Sequence, residues 1–282
     1  MSGQGCLLVM ILCKNEAIHI ARAIKNVSGW ADHVVVLDSF SEDKTAEIAK
    51  AHNAEVIYRK FDNYKNQREY AINLYKNKTR WMLFLDADEY LSVALKKEIT
   101  SVLKDDSKDG YFLPRRFMFM GKWIKWGGYY PIWLLRLFRP QKAKVERGIN
   151  EHIFISGSTG YLKNYFIDDN LKGIGKWIEK HNIYSDEEAR DLIEKRALPA
   201  TEAATFDLRT QQGRKMWIRQ KIWNKFPAGI ARALFYFFYR YVIRLGFLDG
   251  KEGFIYHGLQ GFWFLLVIDL KYQEMKNKKC VE

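Results

Sequence analysis

Trp81-Met82-Leu83-Phe84-Leu85-Asp86-Ala87-Asp88-Glu89 is the stretch from which the architecture can be read. Five consecutive apolar residues mark a buried strand, and the acids that follow place carboxylates at its carboxyl end. In open α/β sheets that edge is the ligand crevice. Working outward, apolar runs at 7–12, 33–37 and 55–58 predict three more strands. Between them Ile18, Ala21, Ile24 and Val27, then Ala46, Ile48 and Ala49, then Tyr70, Ala71, Leu74 and Tyr75 recur at helical spacing. The alternation predicts a Rossmann-like, mostly parallel α/β sheet with helices on both faces. Each strand ends in polar residues: Lys14-Asn15-Glu16, Asp38-Ser39, and the acids after Leu85.

From 110 to 155 the pattern changes to short aromatic strand-like pieces around a Trp126-Gly127-Gly128-Tyr129-Tyr130-Pro131 loop, read as the second half of the same domain. Residues 163–200 read as a mixed connection with an exposed, charge-alternating helix over 186–196 that Pro199 ends. We place an α/β domain at 1–205 and a basic, aromatic helical extension at 206–282.

The 282 residues carry 46 Lys+Arg against 33 Asp+Glu, a net charge of +13, and 48% are hydrophobic. That balance excludes a disordered chain and a polytopic membrane protein. No repeat or Pro-rich tract appears, and Cys6, Cys13 and Cys280 lack metal or disulfide spacing. A reducing, cytosolic compartment is expected. The first apolar run spans only residues 6–13 with no basic residue before it, so no signal peptide is expected. The positive charge is concentrated in two segments, 115–147 and 209–251, which marks them as anion-binding.

If extension continues through Ala87, Asp86 and Asp88 point the same way and suit a hard divalent cation, Mg2+ or Mn2+, which also binds diphosphate oxygens. The strip from Arg115 to Arg147 interleaves cations with Trp123, Trp126, Tyr129, Tyr130 and Trp133. Aromatic faces pack on sugar rings and guanidinium groups bind phosphate, so Arg115, Arg116, Trp126, Tyr129, Tyr130 and Arg136 are candidate acceptor-binding residues. No nucleic-acid-binding module accompanies the strip, and a nucleic-acid partner is not expected.

Near the C-terminus Arg232, Arg240 and Arg244 fall on one side of a helical wheel, and Leu234, Phe235, Phe238, Tyr241, Val242 and Leu245 on the other. A spanning helix is disfavoured because Arg costs roughly 2.5–3.5 kcal/mol at a bilayer centre. Two readings remain for this segment: it lies on an anionic membrane surface, or it packs on the core or on another subunit in a homo-oligomer.

Several runs together resemble the inverting family 2 glycosyltransferases of GT-A fold. They are Lys14-Asn15-Glu16; Val36-Leu37-Asp38-Ser39 with Ser41-Glu42-Asp43-Lys44-Thr45; Tyr64-Lys65-Asn66-Gln67-Arg68; and Leu85-Asp86-Ala87-Asp88-Glu89. The likeness continues through Arg115-Arg116, Gly121-Lys122-Trp123-Ile124, Gly127-Gly128-Tyr129-Tyr130-Pro131, Leu135-Arg136-Leu137-Phe138-Arg139, Asn150-Glu151-His152 and Arg244-Leu245-Gly246-Phe247-Leu248-Asp249-Gly250. It is strongest to the bacterial branch that builds lipopolysaccharide cores and exopolysaccharides.

The resemblance implies a nucleotide-diphosphate sugar donor held by Lys14, Asn15, Glu16, Asp38, Gln67, Arg68 and the Asp86-Ala87-Asp88 triplet. It implies a metal at Asp86 and Asp88, with His152 as a third ligand or a contact to the leaving phosphate. Glu151 matches the position of the family's base, with Asp168 and Asp169 in reserve, and Arg214 and Lys215 resemble a loop that closes over the diphosphate. The acceptor implied is a lipid-linked saccharide or lipopolysaccharide core at the cytoplasmic face of a bacterial inner membrane. Gln211-Gln212-Gly213-Arg214 is followed by Lys215 instead of Trp, so addition of one sugar is expected rather than polymer synthesis. The rivals are a glycosyltransferase with a soluble or protein acceptor, and a non-catalytic basic binding module of the same fold.

Overall fold

The computed structural model describes residues 6–146, 152–197 and 229–279, which form two compact units. One comprises residues up to 125 and 129–173, the other 126–128 and the chain from 174 onward.

The first unit begins with β1 (Leu7–Cys13), α1 (Ile20–Val27), β2 (His33–Asp38), α2 (Thr45–Ala51), β3 (Glu55–Tyr58), α3 (Tyr64–Tyr75) and β4 (Trp81–Asp86). The chain then turns at Ala87-Asp88 into β5 (Glu89–Leu91), and α4 (Val93–Val102) follows. Next come β6 (Gly110–Phe119), β7 (Lys122–Trp123), β8 (Ile132–Phe138), β9 (Ala143–Glu146), β10 (His152–Ile155), β11 (Thr159–Tyr161) and β12 (Phe166–Asp169). Among the described residues the main sheet runs β3-β2-β1-β4-β8-β6-β12-β5, with β7 and β11 also paired to β6, and β9 and β10 form a separate ribbon. The β3-β2-β1-β4 half is parallel, whereas β8 and β5 run antiparallel to their neighbours.

Alternation along β1 sends its side chains to two cores. Leu7, Val9 and Ile11 pack with Ile20, Ala23, Ile24 and Val27 of α1 and with Leu95 and Ile99 of α4. Leu8 and Met10 pack with Met82, Phe84 and, from α3, Ala71, Ile72 and Tyr75. Helices therefore cover both faces, as expected. Two helix starts use side-chain caps: Asn63 accepts from the Asn66 N–H and Ser92 from the Leu95 N–H. Register brings the strand ends level, with Cys13 opposite Asp38 and Leu12 opposite Asp86.

Two expectations change here. Residues 166–169 are not a connection but a strand inserted between β6 and β5. The helix expected over 186–196 is the end of a longer one, α5 (Gly173–Ala197), and it is not wholly exposed. Ala189 and Leu192 are buried against Ile268 and Tyr272, because the charges on its solvent side mask a narrow apolar stripe.

The second unit also contains α6 (Ile230–Phe238), α7 (Gly250–His257) and α8 (Phe264–Lys279), with π-helical turns at Tyr239–Ile243 and Gly258–Trp263. Its polarity is reversed relative to a soluble amphipathic helix. Arg232 is buried in an ion pair with the fully buried Asp269 of α8, and Arg240 is buried with its Nε donating 3.0 Å to the Gly127 carbonyl. Leu234, Phe235, Phe238, Ile243, Leu248 and Phe254 are about half exposed instead. The helical run Gly246–Lys278 is long enough to cross a bilayer and contains an 18-residue window with a mean hydropathy of 1.3, a third of which is buried.

Candidate active site

Three loops follow the carboxyl ends of β1, β2 and β4. The first two are joined by hydrogen bonds. The Asn15 N–H donates to Ser41 Oγ (2.8 Å) and Asn15 Oδ1 accepts from the Glu42 N–H (2.8 Å), while the Glu16 N–H donates to Thr45 Oγ1 (2.7 Å). Glu16 accepts from Lys172 Nζ and from His19 Nδ1, both at 2.6 Å. Since His19 Nε2 accepts from the Leu171 N–H at 2.8 Å, the His19 proton is on Nδ1 and points to Glu16. Asp38 is fully buried; it accepts from the Ser41 N–H (3.0 Å), the Ser41 hydroxyl and the Cys13 thiol (3.4 Å). Burial, with Asp38 beside it, holds the Cys13 thiol far above its ordinary pKa, so it is an inert neighbour. Gln67 is buried with its amide donating to Ser39 Oγ (2.9 Å) and its carbonyl accepting from Arg59, and Arg68 beside it is half-buried. Lys14, Asn15, Glu16, Asp38 and Gln67 are thus brought to one edge, although Asp38 and Gln67 are enclosed by local partners.

The β4 end holds the densest charge. Asp86, 40% exposed, accepts from Arg136 Nη2 at 3.0 Å, and the same nitrogen donates to buried Glu89 at 2.6 Å. Glu89 Oε2 also accepts from the Asp86 N–H at 2.9 Å. The turn at Ala87-Asp88 means that extension does not continue as the same-face reading required. Asp88 instead reaches Asn170, whose amide donates to its carboxylate at 2.8 Å. Behind it Arg22 pairs with Asp169 (2.7 Å), and Arg115 pairs with Asp168 (3.2 Å).

Burial is the main force on two acids of this cluster, Asp168 and Glu89. It pushes Asp168 up to about 6 against the opposing charge of Arg115, with Asp88 and Asp86 adding to the rise. Glu89 is pushed well above the carboxylate range for the same reason, against the attraction of Arg136. Among the described residues five carboxyl groups (Asp86, Asp88, Glu89, Asp168, Asp169) meet three guanidinium groups (Arg22, Arg115, Arg136). An all-oxygen set with excess negative charge fits a hard divalent cation. No group of three or more His, Cys, Asp or Glu is arranged to hold a metal among the described residues. Asp86 and Asp88 are held by different partners, Arg136 and Asn170, on either side of the turn, and are the two carboxylates of this edge that the sequence singled out.

Two candidate acceptor residues have other partners. Arg136 is buried between Asp86 and Glu89, because its strand β8 pairs directly with β4. The Trp126 backbone belongs to the second unit, where its N–H donates to Asp249 (2.9 Å). Arg116 lies between two rings, 4.5 Å from the Trp123 centroid and 5.3 Å from that of Tyr165, with Nη1 donating to the Tyr165 hydroxyl (3.0 Å). Tyr130 meets Trp123 edge to face, and Tyr129 is buried on Phe117. His152 opens β10 opposite Glu146, and nothing is described of its side chain. Glu151, Arg214 and Lys215 lie outside the described residues. Arg22, Glu89 and Asn170 went unassigned in the sequence; Glu89 stood in the acid run itself, whereas Arg22 and Asn170 meet the cluster only through long-range folding.

The family model described as Glycosyl transferase family 2 matches residues 8–169. An uncharacterized glycosyltransferase of Rickettsia felis is 27% identical over 96% of this chain and 91% of its own length. One from Rickettsia bellii is 28% identical over 87% of this chain and 79% of its own. Among solved structures, glucosyl-3-phosphoglycerate synthase from Mycobacterium tuberculosis in complex with Mn2+ and UDP-glucose overlays with a TM-score of 0.35 and 17% identity. That overlay spans 40% of this chain and 44% of the synthase, less than half of each.

Proposed function

The chain belongs to glycosyl transferase family 2, and from that premise we propose that it moves one sugar, with inversion, from a nucleotide-diphosphate sugar to a lipid-linked saccharide or lipopolysaccharide-core acceptor. The observation that carries this reading is the carboxylate pair Asp86 and Asp88 at the end of β4, in a cluster whose acids outnumber its guanidinium groups. Mg2+ or Mn2+ held there would offset the charge of the departing diphosphate. The chain's own residues do the rest. The linked β1 and β2 loops, with Lys14, Asn15 and Glu16, bind the nucleotide part; Asp38 and Gln67 set the shape of that pocket from beneath. Arg68, Arg214 and Lys215 bind phosphate. Glu151 accepts the proton of the acceptor hydroxyl as the new bond forms, and His152 supports the phosphate side.

Arg115, Arg116 and Tyr130 supply guanidinium and aromatic surface suited to a sugar-phosphate acceptor, with Tyr129 packed on Phe117 beneath. The outward apolar residues of α6 and α7 favour an acceptor at a membrane surface, and the cytoplasmic face of a bacterial inner membrane is the reading we adopt. The test is binding of UDP-, GDP-, CDP- and dTDP-sugars with and without Mn2+, wild type against Asp88→Ala. Metal-dependent binding of one donor, lost in the variant, supports the proposal. Absence of binding to every donor would instead favour a non-catalytic module of the same fold.

A further inference from the structure

We infer that Phe40 and Tyr58 form the aromatic face on which the donor's nucleobase stacks, an assignment that rests on the nucleotide-sugar reading above. Phe40 has a φ of 56°, in the left-handed region where glycine is the usual occupant and a Cβ is crowded by the backbone. Its ring is 57% exposed. A large apolar side chain in a strained conformation at a water-facing position gains little from the core, and strain of this kind persists where surrounding bonds impose it.

Those bonds are present on both sides. Asp38 accepts from the Ser41 N–H and hydroxyl, Ser41 Oγ accepts from the Asn15 N–H, and Asn15, itself at φ 55°, accepts from the Glu42 N–H. The loop is thus fixed before any ligand arrives, and it holds Phe40 just beyond the carboxyl end of β2. Tyr58, the last residue of β3 and 43% exposed, lies beside it with ring centroids 5.7 Å apart. Lys50 Nζ stands 5.4 Å from the Tyr58 centroid and adds positive charge to the same patch. Two exposed rings at the strand ends of an open α/β sheet, tilted 34° to one another, offer a π face where a nucleotide is expected. Every nucleobase has a π face, and stacking on aromatic side chains tolerates any base, so this surface contributes affinity while other groups select the base.

The test compares wild type with Phe40→Gly, Phe40→Trp and Tyr58→Leu, titrated with UDP, GDP, CDP and dTDP in the presence of Mn2+. Phe40→Gly fits the left-handed position, so it is expected to fold and to melt no lower than wild type. Its Kd for the nucleotide that wild type prefers should rise roughly tenfold, with a smaller rise in Tyr58→Leu. Phe40→Trp should keep the affinity and add a fluorescence change on nucleotide binding that wild type lacks. Wild-type affinity in a folded Phe40→Gly overturns the stacking role and leaves the donor reading intact. If wild type binds none of the four nucleotides, the donor reading fails first and the stacking role with it.

Discussion

Glu89 grips Asp86 twice: it accepts the Asp86 backbone N–H at 2.9 Å, and it holds Arg136 at 2.6 Å so that the same guanidinium nitrogen reaches the Asp86 carboxylate at 3.0 Å. Asp86 alone of the three acidic and basic groups is substantially exposed. A strand-end carboxylate is thereby oriented from behind by a buried ion pair, which removes the entropy that a mobile side chain would lose on ligand binding.

Arg136→Met should destabilise the protein by about 1–3 kcal/mol, because Glu89, already pushed above the carboxylate range by burial, takes up a proton and loses its hydrogen-bonded partner. Adding Glu89→Gln to Arg136→Met should recover much of that loss, since a neutral amide can still accept from the Asp86 N–H. Urea unfolding at unchanged m-value measures both, and equal midpoints for the single and double variants would contradict the pairing.

Asp88→Asn should bind divalent cation poorly and yet be at least as stable as wild type in EDTA. The amide can keep a hydrogen bond to Asn170 while one negative charge leaves a crowded cluster, a gain of up to about 1 kcal/mol. Asp168 reports the same change directly. Asp88 is one of the charges that raise its pKa to about 6, so carboxyl NMR titration should find that value lower in the variant.

The parallel half of the sheet was legible because β1, β2 and β4 are buried on both faces, and their apolar runs end where their carboxyl-end loops begin. β12 was hidden because Phe166-Ile167-Asp168-Asp169 is four residues long and half acidic, so only its pairing with β6 and β5 defines it. Asp86 and Asp88 were visible as a pair, but the turn between them and the Arg136 and Asn170 that hold them come from sequence-distant elements. The arginine face expected from the C-terminal wheel is divided: Arg232 and Arg240 are buried, whereas Arg244 lies beyond the helix in an exposed turn. This division was not legible, because Arg232 finds Asp269 37 residues away and the π-helical turn at Tyr239–Ile243 shifts the residues that follow.

Glu151→Gln should leave donor binding near the wild-type level and abolish sugar transfer, the signature of a group needed for proton acceptance rather than for binding. Calorimetry with the preferred donor and a transfer assay separate the two. Normal turnover would return the base to the reserve acids, of which Asp168 has the more suitable raised pKa.

His257 gives the second unit an acid-sensitive point. Burial, with Arg240 nearby, depresses its pKa from 6.5 to about 4, and Asp249 at 4.0 Å is not close enough to reverse this. The unfolded chain therefore binds a proton at a higher pH than the folded one. Stability from this site is fully present above about pH 6.5 and is lost as the pH falls towards 4, by on the order of 3 kcal/mol. His257→Asn should flatten that limb of the stability profile measured by urea unfolding between pH 7 and 4.

The Arg232–Asp269 pair decides which face of α6 is turned inward, so its removal should be costly in one form and cheap in another. Asp269→Ala leaves a buried guanidinium group without its acid and exposes the Gly229 N–H that the same carboxylate accepts at 2.8 Å, a loss of about 3–5 kcal/mol. Arg232→Met with Asp269→Leu removes both charges and fills the space with apolar atoms, and should come within about 1–2 kcal/mol of wild type. The double variant also separates the two roles of the segment. If the outward apolar residues bind membrane, it should still float with anionic vesicles, because Leu234, Phe235 and Phe238 remain on the outer face. Loss of flotation in a stably folded double variant would mean that the buried charges, and not the exposed apolar surface, govern attachment.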